Sequence, residues 1–266
     1  MVNETDLHPS THSQRGWRQF SGFQFARHVT LQPLAVAEIP LVAQVMPVAF
    51  LRQGQAWRAA GVMGAAYGDN VYVAEDGRWR GHFVPAALRV YPFALSEQDE
   101  ERLELWPGYE PDALDDATEG LVPFFEDGRY TPLLQKTLAF LQQVKRGQAA
   151  AHEPLTMLHE LGLLTPWSVP VGEGVDASRV LEGLYRLTPG QWERLCDSDW
   201  LELRRRGALE WLYAHLHSLH HAERFRAMER REERASRWAP EESDEQHQAA
   251  ALLAAMFEHN EGHPSK

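Results

Sequence analysis

The 266-residue chain holds one cysteine, Cys196, so no intrachain disulfide can staple it. An unpaired thiol suits a reducing compartment, and Cys196, which follows apolar Leu195, reads as a buried, unreactive one. No run approaches the roughly 18–20 apolar residues needed to span a bilayer. Residues 1–16 are polar and lack the apolar core of a secretory signal. The expectation is a cytoplasmic protein, with surface association open only by a non-classical route. Cations are also short: 26 Lys and Arg stand against 38 Asp and Glu, a net charge of −12. Neutralising phosphates needs concentrated cations, which argues against nucleic acid as a partner. The run Arg204-Arg205-Arg206 is too brief to change that. Gly61, Gly64 and Gly68 have neither the spacing nor the following Lys-Ser/Thr of a phosphate-cradling loop.

What is present is a globular composition, 44% hydrophobic and 24% charged, with nine Trp to fill a core or form aromatic platforms. Residues 1–24 lack periodicity and read as a flexible leader. A short helix is expected near Ile39, with Pro40 tolerated in its first turn. Short strands are expected at residues 48–51, 57–63 and 70–74, divided by the turn signals Gln53-Gly54 and Gly68-Asp69. A further pair should flank Glu126-Asp127-Gly128. From Thr131-Pro132 the period turns helical, with Leu133, Leu134, Leu138, Leu141 and Val144 on one face. Gly162 and Gly207 mark helix ends, and Thr188-Pro189-Gly190-Gln191 has capping-box spacing. The fold class is therefore α+β: an N-terminal antiparallel sheet packed with a helical C-terminal half over residues 25–221. Residues 222–266 read as a charged helical extension ending in an amphipathic helix. Its stripe of Leu252, Leu253, Met256 and Phe257 must bury against the domain or against a protein partner.

Several motifs together resemble the SapC-like family of bacterial proteins. They are Glu38-Ile39-Pro40, Pro47-Val48-Ala49-Phe50, the run from Gly68 to Val73, and Asp76-Gly77-Arg78-Trp79. Val84-Pro85-Ala86, Leu88-Arg89, Tyr91-Pro92-Phe93, the run from Leu161 to Leu164, and Tyr213-Ala214-His215-Leu216 continue the series. The resemblance spans residues 33–219. It implies association with bacterial surface layers, or with TonB-dependent uptake systems, and it carries over no catalytic residues.

The candidate residues gather on residues 208–221, where four histidines lie. At 100° per residue, Ala208, Leu209, Leu212, Leu216 and Leu219 form the apolar face and His215 sits at its margin. His215 is either a core histidine or a ligand-binding group. His217, His220 and His221 share the opposite arc, and the i, i+4 spacing of the outer two suits one metal ion. A polar helical face that happens to contain histidines is the competing reading. Arg78, Trp79, Arg89 and Tyr91 are further ligand-binding candidates: the arginines for an anion, or for pairing with Asp69 and Glu75, the rings for a pocket wall or an aromatic corner. No cofactor is required by these residues. The expected function is a non-enzymatic accessory or binding protein linked to a surface layer or TonB-dependent uptake. The alternatives are a metal- or cofactor-dependent modifying enzyme using the His215 region, and a structural surface-layer component.

Overall fold

In the computed structural model, one hairpin organises the main sheet. β3 (Val48–Gln53) pairs antiparallel with β4 (Ala56–Val62) from Val48↔Gly61 to Gln53↔Ala56. The turn is closed by Gly54 at φ +60°, the left-handed region that glycine enters without steric cost. The structure describes residues 6–114, 120–170, 180–188, 190–223 and 225. The tail stripe of Leu252, Leu253, Met256 and Phe257 lies outside them.

Four shorter elements precede the hairpin: α1 (Pro9–His12), β1 (Arg15–Trp17), β2 (Leu31–Leu34) and α2 (Ile39–Val42). After it come β5 (Phe93–Leu95), β6 (Leu103–Leu105), β7 (Asp112–Ala113), β8 (Val122–Pro123), β9 (Phe125–Glu126) and β10 (Arg129–Tyr130). Then follow α3 (Pro132–Ala149), α4 (His152–Glu160), β11 (Leu164–Pro166), β12 (Leu184–Leu187), α5 (Asp197–Arg205) and α6 (Leu209–Ser218). The class is α+β. The main sheet has the order β11-β12-β3-β4-β2, and its neighbours pair antiparallel.

Two of these strands, β11 and β12, come from the half expected to be helical, so that half completes the sheet as well as covering it. β2 was not foreseen because Pro33 argues against a strand interior. It occupies the edge of the sheet, where a missing N–H costs no ladder bond. The strand expected at residues 70–74 is reduced to the single bridge Val73↔Trp79. Asn70 is the cause: its side chain accepts from the Tyr72 N–H at 3.0 Å and donates to the Ala26 carbonyl at 2.8 Å. This Asx turn competes with a ladder.

Other signals are realised. The β9–β10 pair turns through Asp127 (φ 49°) and Gly128 (φ 73°), the two positive values a tight hairpin requires. Gly162 ends α4, with the Leu163 N–H donating to the Leu158 carbonyl at 2.9 Å. Thr131 is the N-cap of α3, whose buried residues are Leu134, Leu141 and Val144. Leu133 is 47% exposed, off the face assigned to it. Capping-box spacing at Thr188 opens a 3-10 turn at Gln191–Arg194 rather than a longer helix. Cys196 is exposed rather than buried, because it is the N-cap of α5.

Opposed residues of a ladder share a face, so Val48 and Phe50 point one way and Leu31, Pro33 and Arg58 the other. Phe50 packs against Trp211 and His215 of α6. A second core gathers Leu7, Trp17, Phe93, Leu103, Leu105, Phe124, Leu134 and Leu141. Residues 6–24, expected as a leader, therefore supply buried side chains, and β1 pairs with β7 and β8.

Candidate functional site

Helix α6 buries a different stripe from the one its leucines suggest. Ala208, Trp211, Leu212, His215 and Ser218 are buried, followed by His221, Ala222 and Phe225. Leu209, Leu216 and Leu219 are only half-buried. His215 is therefore at the centre of the core face, not at its margin. The Leu187 N–H donates to His215 Nε2 at 3.1 Å. That makes Nε2 the acceptor, so Nδ1 carries the proton and donates to the Val48 carbonyl at 2.9 Å. The ring lies 4.1 Å from Phe50, centroid to centroid. Burial pushes the imidazole pKa down to about 3, and Arg186 acts in the same sense against the bond to Val48.

This imidazole replaces a missing rung of the sheet. The β12–β3 register sets Leu184 opposite Leu51 and Tyr185 opposite Phe50. Continued, it would place Leu187 opposite Val48, and there the ring bridges the two strands as both donor and acceptor. The Val48 N–H donates instead to Ser218 Oγ at 2.9 Å, and that hydroxyl donates to the His215 carbonyl at 2.7 Å. Two side chains of α6 thus satisfy both backbone groups of Val48, the demand that buried peptide groups impose. Replacing Ser218 by Ala should cost about 1–3 kcal/mol by orphaning the Val48 N–H. The urea unfolding midpoint checks this, and an unchanged midpoint would contradict it.

The other three histidines do not share one arc. His217 and His220 are exposed and His221 is buried, because the chain tightens into a 3-10 turn at Leu219–His221. Such a turn advances about 120° per residue. His220 Nδ1 bonds to the His217 carbonyl, and the His220 and His221 rings lie 3.9 Å apart. Among the described residues no three His, Cys, Asp or Glu side chains group as a metal site.

Trp79 and Tyr91 do come together, through a half-buried aromatic surface. Tyr91 stacks on Phe25 at 3.8 Å and meets Trp106 at 5.3 Å and Tyr109 at 5.7 Å. Phe23 links Phe25 to Trp79, at 5.9 and 5.3 Å. Trp79 Nε1 donates to the Phe83 carbonyl at 2.9 Å, and burial raises the Tyr91 phenol pKa. The arginines stay apart from one another. Arg78 pairs with Asp76 at 2.6 Å, not with Asp69 or Glu75. Arg89 lies 5.7 Å from both the Phe83 and Phe140 rings.

Arg89 also faces Glu38, a buried carboxylate in the first quoted motif. Glu38 accepts from the Ala35 N–H at 3.1 Å and the Ala86 N–H at 2.8 Å. Burial raises its pKa, against those two donors and Arg89. Glu38→Ala should cost about 2–4 kcal/mol, since two buried N–H groups lose their acceptor. Glu38→Gln, which keeps one acceptor oxygen, should cost less. Equal denaturation midpoints for the two variants would contradict this account.

A wide concavity opens beside these elements. A groove of about 1030 Å³ runs between edge strand β2 and helix α3, with walls from Phe93, Leu95, Leu141 and Val144. Trp106 lines it as well, so the groove continues into the aromatic surface. Arg58, Lys145 and Arg146 supply cations, and Glu97 and Glu100 carboxylates. Gly147 makes the close fit of α3 possible: a Cβ there would lie 2.7 Å from the Ala35 Cβ. A second cleft, about 400 Å³ beside Tyr130 and Gln135, is smaller. None of the groove's charged residues was singled out from sequence. The available signal was Arg58, a cation inside the otherwise apolar strand β4.

These features define an α+β protein with a histidine-bridged sheet and one wide, aromatic-ended groove. The chain belongs to the SapC family, whose profile matches residues 7–225. No curated protein and no solved structure matches it. None of the described helices is long and apolar enough to cross a membrane.

Proposed function

We propose that this SapC family member is a non-enzymatic binding protein that holds its ligand in the groove between β2 and α3. It would serve a bacterial surface-layer or TonB-dependent uptake system as an accessory. The observation that carries the binding role is the groove itself: at about 1030 Å³ it reaches the upper end of small-molecule sites. The surface or uptake setting rests on the family resemblance. A modifying enzyme built on His215 would need a free ring nitrogen, and both nitrogens of His215 are engaged.

The test uses the neutral apolar dye N-phenyl-1-naphthylamine, whose fluorescence rises on leaving water. The native protein should bind it saturably. Ala94→Trp, which places an indole in the groove, should abolish that signal while the thermal unfolding midpoint holds. Dye binding that is absent, or that survives Ala94→Trp unchanged, removes the groove as a binding site.

A further inference from the structure

The groove has two unlike ends, and the difference specifies a class of ligand. It follows β2, with Val29 and Leu31 at one end and Pro33 and Arg58 at the other. The Val29 end meets Trp106, a half-buried indole 5.1 Å from Phe25 and 5.3 Å from Tyr91. Pro33 pairs with Ala60, so Arg58, two residues before Ala60 on β4, is its diagonal neighbour on the same face. Helix α3 closes this end: Gln148 donates to the Pro33 carbonyl at 3.2 Å and Gly147 abuts Ala35. That brings in the adjoining Arg146.

Of the groove's three cations, Arg58 and Arg146 are not spent on carboxylates. Lys145 is paired with Glu100 at 3.2 Å. Half-buried Arg58 donates only to the Trp57 carbonyl, at 3.0 Å. Among the described residues neither Arg58 nor Arg146 has a carboxylate within ion-pair distance, although the chain carries a net charge of −12. Arg146 is exposed at the mouth, whereas Arg58 is half-buried, and a guanidinium left partly desolvated in a concavity favours an anionic group able to take its paired N–H donors.

Resting on the groove reading, we infer that the ligand is an amphipathic organic anion. Its carboxylate or phosphate meets Arg58 and Arg146, and its apolar body lies along Leu31 and Phe93 toward Trp106. The four residue steps from Val29 to Pro33 span at most about 13 Å, which suits a medium-length acyl chain.

The test is calorimetric titration of the full chain with decanoate, with decan-1-ol as the uncharged counterpart, and with decyl phosphate. A capped Val-Thr-Val-Thr amide is included because edge strand β2 could instead accept a peptide strand. Decanoate or decyl phosphate should bind at least tenfold more tightly than decanol, and whichever is tighter identifies the head group. Arg58→Gln should weaken the anion about tenfold and leave decanol within twofold. Arg146→Gln should act in the same direction. Equal binding of anion and alcohol, or an anion affinity untouched by Arg58→Gln, overturns the inference while dye binding in the groove still stands. Binding of the capped peptide without the anions overturns it in favour of strand addition. Failure of all four ligands also overturns it, and the dye result then decides the groove separately.

Discussion

Replacing His215 by alanine is expected to destabilise the protein by about 4–8 kcal/mol, comparable with the lower part of the range of typical domain stabilities. Two losses add. The Leu187 N–H and the Val48 carbonyl lose their partners inside the core, at about 1–3 kcal/mol each. The vacated ring leaves a cavity against Phe50, worth about 2 kcal/mol more. His215→Phe separates the parts, because it keeps a ring against Phe50 and supplies neither hydrogen bond. It should fall between wild type and His215→Ala in urea or thermal unfolding. If His215→Phe matches wild type, the bridging role is wrong and the residue is filler. If His215→Ala yields no folded protein, the His215→Phe comparison still decides the question.

That role shows where local sequence reading ends. The β3–β4 and β9–β10 hairpins were legible because Gly54 and Asp127-Gly128 mark turns that need positive φ. Helix α3 was legible from Thr131-Pro132 and a 3.6-residue period, which act within one element. β2 was hidden by Pro33, whose cost disappears only when the strand is known to lie at an edge. The strand expected at residues 70–74 failed because Asn70 offers a side-chain alternative whose partner, Ala26, is 44 positions away. On α6 the leucines pointed to one face, but the core face is chosen by Val48 and Leu187, which need a donor and an acceptor. A histidine and a serine meet that need and leucine cannot. The groove was the least legible feature: Arg58, Trp106 and Arg146 come from segments separated by tens of residues, and only tertiary packing juxtaposes them.

Stability should also fall steeply in mild acid, and His215 should carry much of the loss. Its pKa is about 3 in the folded protein against about 6.5 in an unfolded chain. Between those values the unfolded state binds the extra proton, so stability rises with pH there. The contribution is complete above about pH 6.5, lower by about 2 kcal/mol at pH 5, and lower by about 4 kcal/mol at pH 3. Two other groups with shifted pKa values also bear on acid stability. His12, whose pKa burial also lowers, acts in the same direction. Glu38, with a raised pKa, acts oppositely: its contribution is fullest below about pH 4.5 and declines as pH rises through its folded value. The diagnostic is therefore a difference between variants. Denaturation free energies of wild type and His215→Phe, measured from pH 7.5 to pH 4.5, should converge as pH falls, because the phenylalanine has no proton to gain. Protonation would turn Nε2 from an acceptor into a second donor aimed at the Leu187 N–H, so the bridge between β12 and β3 must open for the proton to bind. Parallel pH curves for the two proteins would show that this imidazole is not held neutral, and the bridge would have to be redrawn.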